Sequence, residues 1–320
     1  MTGLPPRRRV EGLTRTGRPA ALRPIAAAIT ALVCTAPAAA QTPAPSQNPS
    51  PMVEETRAHE RLVRREVAGA RRSFAGPGGR PVELLVPYGA RRREAVDVVI
   101  HFHGAAWLPQ QAAGGRAVVA VVNLGAGSGI YHRTYAEPAA FDSLLAGVAA
   151  EVSAVGGRAV RLRRVTLAGF SAGHGAVRAI LREPRHFVRV DAVLLLDGMH
   201  TSYVPEGTPL AAGGTLDSTN LAAFAAFARA AMRGEKRFLV THSEIFPGTY
   251  ASTTETADWL LRELGLRRTR RLRWGPRGLQ QLSEVRAGGF QLLGYAGNSA
   301  PDHVDHFHAM PELLARVLGR

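Results

Sequence analysis

One segment in the middle of the chain constrains its fold more than any other. Residues 164–181 read as an apolar run, then Gly-Phe-Ser-Ala-Gly, then a helical pattern. Ser171 has a glycine two positions before it, Gly169, and another two positions after it, Gly173. Glycines at this spacing suit a strained turn where neighbouring backbone passes close by. The segment therefore predicts a strand, a sharp turn and a helix, with Ser171 at the helix N-terminus, where N–H groups favour developing negative charge.

Short apolar runs alternate with helical patterns along most of the chain. Continuous apolar runs bounded by turns are typical of strands that are buried on both faces. The predicted strands are 82–86, 98–102, 117–122, 164–168, 192–196, 237–241 and 291–295. The alternation predicts an α/β fold, a mostly parallel, doubly wound sheet with helices on both faces. Residues 72–86 read as a hairpin that adds antiparallel strands at one edge.

A second motif follows the predicted strand 98–102, which ends in His103-Gly104. Together with the serine turn, this loop resembles the α/β-hydrolase family, which carries a His-Gly loop after its third strand and its serine elbow after its fifth. The resemblance implies that Ser171 is a nucleophile. It also implies an oxyanion hole built from backbone N–H groups of Ala105 or Ala106 together with Ala172, whose donors act on charge that develops in the transition state.

A serine nucleophile needs a histidine base, and the base needs an acid that fixes its tautomer. The family order is serine, acid, histidine. Three histidines follow the last predicted strand, His303, His306 and His308, just before a closing helix at about 310–318. His303 comes first and is expected in the loop after that strand, so it ranks first as the base, followed by His306 and then His308.

Two carboxylates compete for the role of the acid. Asp197 directly ends the predicted strand 192–196, and Glu244 follows the next predicted strand. The family usually places its acid after the seventh strand and in some members after the sixth. Because an isolated carboxylate at the end of an apolar strand would be costly without a partner, Asp197 is preferred over Glu244.

The resemblance implies a carboxylic ester hydrolase that forms an acyl-enzyme and needs no metal or other cofactor. Residues 200–219 lie where family members often insert a lid. This loop is short and partly polar, which favours an open site for small or polymer-attached acyl groups. Peptidase and acyltransferase chemistry both remain open.

Two alternative functions compete with the serine hydrolase. His101 and His103, with Asp302 and His306, have the residue types of a zinc site in which bound hydroxide attacks the substrate. That interpretation leaves the serine turn unexplained. The second alternative is a non-catalytic binding protein with a hydrolase fold, since a fold alone does not imply activity.

The N-terminal region differs from the rest of the chain. A basic stretch is followed by the apolar run 25–34 and by the small residues Ala38-Ala39-Ala40. This order is typical of a secretory signal, and the run is shorter than the roughly 20 residues that span a bilayer. We expect a signal peptide at 1–40, a Pro-rich linker at 41–52 and a hydrolase domain at 53–320, secreted or periplasmic, with no stable membrane insertion after cleavage.

The formal net charge is +15, and Lys236 is the single lysine among 40 basic residues. No nucleic-acid recognition motif accompanies this charge, so nucleic acid is not an expected partner. A basic field attracts acidic partners whatever the fold, which leaves an anionic substrate possible.

Overall fold

The computed structural model describes residues 58–319, which lie in one compact unit. The predicted signal peptide and linker lie outside the described residues, and the domain boundary at residue 53 does so too. These three assignments stay predictions.

A ten-stranded sheet forms the centre of the described unit. Its strands stand in the order β1-β2-β4-β3-β5-β6-β9-β12-β11-β10. The strands are Gly69–Ala75 (β1), Pro81–Pro87 (β2), Ala95–Phe102 (β3), Val118–Val122 (β4), Arg161–Phe170 (β5), Ala192–Leu196 (β6), Arg237–His242 (β9), Thr269–Trp274 (β10), Gln280–Ala287 (β11) and Phe290–Tyr295 (β12), with Tyr203–Val204 (β7) and Thr215–Leu216 (β8) pairing separately. The six central strands from β4 to β12 are parallel, and antiparallel pairs flank them at both edges.

Helices cover both faces of the sheet. They are Trp107–Ala113 (α1), Ser128–Ala136 (α2), Pro138–Gly156 (α3), His174–Arg182 (α4), Pro184–Arg189 (α5), Ala222–Met232 (α6), Thr253–Leu264 (α7), Ala300–His308 (α8) and Met310–Leu318 (α9). Apolar side chains of α1 and α9 pack in one core cluster, and those of α2, α3, α4, α6 and α7 pack in the other. Neighbouring residues of β3 alternate between the clusters, since Val99 belongs to the first and Ile100 to the second. The predicted doubly wound α/β sheet is thus confirmed.

Helix α3 is long and apolar enough to cross a membrane by length and composition. Its residues Phe141, Leu144, Val148 and Val152 are fully buried in the core cluster. They recur at helical spacing and form one apolar stripe, which is how a core helix covers a sheet. The burial of this stripe explains the apolar composition of α3.

The sequence patterns predicted the parallel strands but missed two strands at one edge of the sheet. The strand predicted at 192–196 has the observed bounds, and the predicted hairpin is the antiparallel pair β1 and β2. Strands β10 and β11 were not predicted. Every residue of β10 is exposed, so it lacks an apolar face; it pairs with β11, and its Arg271 and Arg273 bind Glu284 there.

Candidate active site

Strands β3 and β5 are neighbours in the sheet, and the chain leaves them toward opposite sides, to β4 and to β6. The carboxyl ends of parallel strands on either side of such a reversal open a crevice, which is where ligands bind in α/β sheets. His103 and Gly104 follow β3, and Ser171 follows β5. The two sequence motifs therefore meet at the same edge of the sheet.

The turn at Ser171 needs its glycines because other backbone lies against them. A Cβ atom on Gly173 would lie 2.1 Å from the carbonyl oxygen of Phe102, at the end of β3. One on Gly169 would lie 3.1 Å from the carbonyl carbon of Gly173. The strand end and the turn can pack this closely only without side chains, so the spacing of glycines around Ser171 has a direct steric cause.

Backbone strain is concentrated at this edge. Among the described residues, four that are not glycine have a positive φ, and three of these follow the central strands: His103 at 72°, Ser171 at 47° and Asp197 at 42°. A positive φ costs an L-residue free energy unless the surrounding structure enforces it, and such residues cluster at functional sites. The strained turns project all three side chains from the strand ends.

A hydrogen bond joins Asp197 and His303, with His303 Nδ1 lying 2.7 Å from Asp197 Oδ2. Asp197 directly follows β6, as expected. His303, however, lies in the second turn of α8 and not in a loop, which corrects its predicted setting. Ser299 and Asp302 form a capping box that starts α8 earlier than the sequence pattern indicated.

The carboxylate of Asp197 is buried and fully engaged. Ser243 donates to it twice, from the backbone N–H to Oδ1 and from the hydroxyl to Oδ2, each at 2.8 Å. The hydroxyl of Thr253, the first residue of α7, donates to Oδ1 at 2.7 Å. Donors of this kind stabilise the ionised form.

Burial acts to raise the pKa of Asp197, but the fields of His306 and His303 and the hydrogen bonds to the carboxylate outweigh it. The pKa of Asp197 is therefore held well below its usual range. An ionised Asp197 accepts a hydrogen bond from the N–H at His303 Nδ1, which leaves His303 Nε2 as the free acceptor.

Further contacts bring this pair beside Ser171. A Cβ atom on Gly198 would lie 2.6 Å from the carbonyl oxygen of Ser171, so the residue after Asp197 touches the serine turn. The ring of Phe170 stacks on that of His303 with centroids 4.6 Å apart. The Ser171 hydroxyl makes no hydrogen bond to the described residues.

The other candidate acid and bases have different environments. Glu244 is exposed, and its backbone N–H bonds to Gly297. His306 is fully buried in α8, where its Nδ1 lies 2.8 Å from the Thr241 hydroxyl. His308 Nδ1 accepts from the backbone N–H of Leu62 at 2.9 Å. Within the described residues, the pair that the structure assembles is thus Asp197 with His303.

The predicted oxyanion loop runs from β3 into α1. Gly104 is pinned to Asn123 by two hydrogen bonds of 2.9 Å, from its N–H to the side-chain oxygen and from the side-chain amide to its carbonyl. The N–H groups of Ala105 and Ala106 donate to no acceptor within residues 58–319. Ala172 lies in the short helical turn Ser171–Gly173, where N–H groups have no acceptor within the turn. Free backbone N–H donors thus lie at both positions predicted for the oxyanion hole.

The order of the strands and loops identifies the fold. The His-Gly loop follows the third strand, the serine turn follows the fifth, and the carboxylate after the sixth strand meets a histidine after the last. This is the α/β-hydrolase fold.

No protein-family model and no curated protein matches this chain. Solved structures that resemble it include an esterase from Pyrobaculum calidifontis, 16% identical, with a TM-score of 0.43 over 78% of this chain and 83% of that one. A siderophore hydrolase from Aspergillus nidulans is 16% identical, with a TM-score of 0.40 over 80% of this chain and 97% of that one. With likenesses this distant, the fold assignment depends on strand order and motif positions.

The zinc set considered from the sequence is engaged in other contacts. His101 Nε2 bonds to the carbonyl oxygen of His103 at 2.7 Å, and burial lowers the pKa of His101 to about 3. Asp302 accepts hydrogen bonds at the start of α8, and His306 bonds to Thr241. In the described part of the chain, His101, His103 and His306 belong to no cluster of possible metal-ligand atoms.

Within the described residues, one cluster has possible ligand atoms that all lie within 4.8 Å of one another: His59, Asp302 and Asp305. In it, Asp305 already bonds to His59 at 2.8 Å and pairs with Arg61 at 3.1 Å. The carboxylate of Asp305 is thus neutralised within the protein, and the cluster differs from the set that the sequence suggested.

A cleft of about 670 Å³ opens at Ser171. Its wall includes Ala172, His103 and residues of the 200–219 loop, which is the predicted lid. That loop contains β7 and β8, paired antiparallel, and leaves Ser202 and Glu206 exposed at the cleft. The volume lies within the usual range for small-molecule sites.

The sequence patterns missed several residues of the site. Ser243 and Thr253 hold Asp197, yet they belong to no motif and come from different elements. Arg178 of α4 lines the cleft and was not singled out, although it follows His174 by four residues and so shares its helix face. Spacing from the serine turn was the signal that could have identified Arg178.

Proposed function

We propose that the protein is a serine hydrolase that cleaves carboxylic esters, with Ser171 as nucleophile, His303 as base and Asp197 as the acid that orients it. The observation that carries this proposal is the 2.7 Å hydrogen bond between His303 Nδ1 and Asp197, formed beside the strained turn that presents Ser171. Nucleophile, base and orienting acid in this arrangement form the constellation of acyl transfer.

In the first half-reaction, His303 Nε2 takes the proton of the Ser171 hydroxyl as Oγ attacks the ester carbonyl carbon. The tetrahedral intermediate collapses when the C–O bond to the alcohol breaks, and the same proton passes from Nε2 to the leaving oxygen. An acyl group then remains on Ser171. In the second half-reaction, His303 Nε2 takes a proton from water as the water oxygen attacks the acyl carbonyl carbon. The C–O bond to Ser171 then breaks, the proton passes from Nε2 to Ser171 Oγ, and the carboxylic acid leaves.

Asp197 would stabilise the imidazolium form of His303 that appears in both half-reactions. Its low pKa keeps it ionised, so it holds the Nδ1 proton and directs Nε2 toward Ser171. Because Ser243 and Thr253 fix both carboxylate oxygens, this orientation requires little reorganisation when substrate binds.

The oxyanion of the intermediate would be bound by the N–H of Ala172 and by that of Ala105 or Ala106. Each such donor contributes about 3 kcal/mol in comparable enzymes. The Asn123 side chain fixes Gly104 from both its N–H and its carbonyl, which holds the start of this loop in place.

The decisive experiment compares the purified protein with Ser171→Ala on a short-chain 4-nitrophenyl ester and on a fluorophosphonate probe that labels activated serines. Wild-type protein should turn over the ester and take up the probe, and labelling should survive a metal chelator. Ser171→Ala should lose at least about 10⁴-fold in kcat and all labelling, with an unchanged melting temperature. Turnover by Ser171→Ala, or loss of activity in chelator that zinc restores, would overturn the serine mechanism.

A further inference from the structure

Arg178 is a cation at the cleft without a partner in the described protein. It lies on α4, seven residues after Ser171, and lines the same cleft. Only 8% of its surface is exposed. Its side chain makes no hydrogen bond to the described residues, Nε is buried without a partner, and no carboxylate of these residues lies within the 4.0 Å of an ion pair. Burying an unpaired charge is costly, so such a group calls for a counter-charge.

The acidic group whose charge acts on Arg178 is engaged elsewhere. Asp217 attracts Arg178 through space, yet its carboxylate accepts the backbone N–H and hydroxyl of Thr219 and the side-chain amide of Asn220. Glu206 also lines the cleft, but it is exposed on the lid loop, where water and salt screen its charge. No described carboxylate therefore neutralises Arg178, and its charge is available to an anionic ligand that enters the cleft.

Arg178 stays charged while the histidines around it do not. Burial and the neighbouring Arg182 lower the pKa of Arg178 to about 10, which still leaves it protonated at neutral pH. Burial lowers the pKa of the three histidines in the same wall, His103, His174 and His200, so their rings are neutral there. Arg178 is thus the cation of this wall among the described residues.

The surroundings of Arg178 also favour an anion. Helix α2 begins at Ser128 in the cleft wall, and no side chain caps its N-terminus. A Cβ atom on Gly175 would lie 2.2 Å from the Ser128 carbonyl oxygen, so the starts of α2 and α4 pack against each other. Free N–H groups at helix N-termini carry partial positive charge. Their field adds to that of the guanidinium.

We propose that Arg178 binds an anionic group on the substrate, so that the preferred esters carry a carboxylate several bonds from the carbonyl that Ser171 attacks. This inference rests on the proposed esterase function and names its substrate class. Arg178 lies in the second turn of α4, about 6 Å along the helix axis from His174 at 1.5 Å per residue, and long side chains on a helix lean back toward its N-terminus, where Ser171 lies. A guanidinium presents paired N–H donors that match a carboxylate, which makes arginine suited to this role.

The test compares two esters of the same acyl length, the 4-nitrophenyl monoester of adipic acid and 4-nitrophenyl hexanoate, which differ by the terminal carboxylate. Wild-type protein should prefer the monoester in kcat/KM, mainly through a lower KM. Arg178→Gln should reduce the ratio of the two kcat/KM values at least about thirtyfold, the effect of removing one partner of a buried charge pair. Arg178→Lys, which keeps the charge, should retain part of the preference.

Arg185→Gln is the matched control, because it removes one positive charge from an exposed arginine that pairs with Asp142 outside the cleft. It should leave the ratio unchanged. Equal use of the two esters by wild type, or an equal loss on both with Arg178→Gln, would overturn the inference and leave the esterase function standing.

A binding measurement tests the anion site independently of catalysis. Adipate should bind to Ser171→Ala in calorimetry, and the Ser171→Ala/Arg178→Gln double variant should lose that binding. If neither ester is cleaved while adipate binds through Arg178, the esterase proposal fails and the anion site remains. Absence of adipate binding to folded Ser171→Ala would refute the anion site itself.

Discussion

His303 Nδ1 lies 2.7 Å from Asp197 Oδ2, although 106 positions separate the two residues in the chain. The hydrogen bond connects the end of β6 with the helix that follows the last strand. Three further hydrogen bonds from Ser243 and Thr253 hold the Asp197 carboxylate, so the partner of His303 is fixed in place by residues outside α8.

The first prediction concerns the base. His303→Ala should lower kcat for a 4-nitrophenyl ester about as much as Ser171→Ala does, because the serine would lose its proton acceptor. His306→Gln should be much milder, since His306 bonds to Thr241 and not to the Asp197 carboxylate. Steady-state kinetics on both variants, with circular dichroism as the check of folding, decides between them. A severe loss in His306→Gln beside an active His303→Ala would contradict this assignment.

The second prediction concerns the acid. Asp197→Asn should cost about 10⁴-fold in kcat, because an amide cannot hold the productive tautomer of His303. Glu244→Gln is the control, since that carboxylate is exposed, and it should change kcat less than about threefold, as surface changes do. A large loss of kcat in Glu244→Gln beside a small loss in Asp197→Asn would show that Glu244 is the acid.

Third, the close approach of Gly198 to Ser171 should make the site sensitive to one methyl group. Gly198→Ala places a Cβ atom 2.6 Å from the Ser171 carbonyl oxygen and 2.8 Å from its nitrogen, so the serine turn must shift. Misplacement by about 1 Å can cost roughly 100-fold in rate. Gly89→Ala meets no atom within 4 Å and should keep wild-type kcat. Equal kcat values for the two variants would argue against this contact.

The fourth prediction is a loss of stability in mild acid caused by His242. Burial, with the charge of Arg268, lowers the pKa of His242 to about 4. The unfolded chain takes up this proton below about pH 6.5, whereas the folded protein resists it until about pH 4. The free energy of unfolding should therefore fall as pH drops through this window, by up to about 3 kcal/mol from this residue.

Urea unfolding of wild type and His242→Gln between pH 7.5 and pH 4 measures that contribution. The variant should show a shallower decline of stability with falling pH, whatever its stability at pH 7.5. Parallel pH profiles for the two proteins would show that His242 does not resist protonation in the fold.

The fifth prediction addresses export. We propose that the N-terminal 40 residues are removed on secretion, so that the mature chain begins at Gln41. N-terminal sequencing of protein exported from a bacterial host should identify Gln41, and Ala38→Asp with Ala40→Asp should block processing. Exported protein that begins at Met1, or that carries lipid on Cys34, would refute cleavage at this site.

The sequence by itself determined the features that depend on short stretches of chain. The serine turn, the His-Gly loop and the parallel strands follow from local spacing of glycines and apolar residues. Because parallel strands share one carboxyl edge, the sequence also brought Ser171 and Asp197 to the same edge of the sheet. It placed His303 near them but in the wrong element, since the capping box at Ser299 extends a helix over it.

Tertiary structure alone decided which residues meet. The contacts of Ser243 and Thr253 with Asp197 span 46 and 56 positions, and local periodicity carries no information at such separations. The same holds for Arg178, whose lack of an ion pair with a described carboxylate depends on where the lid loop places Asp217 and Glu206. The hydrogen bonds and the burial of the site residues come from segments that are far apart in the sequence. They therefore form only when the sheet and its covering loops are assembled.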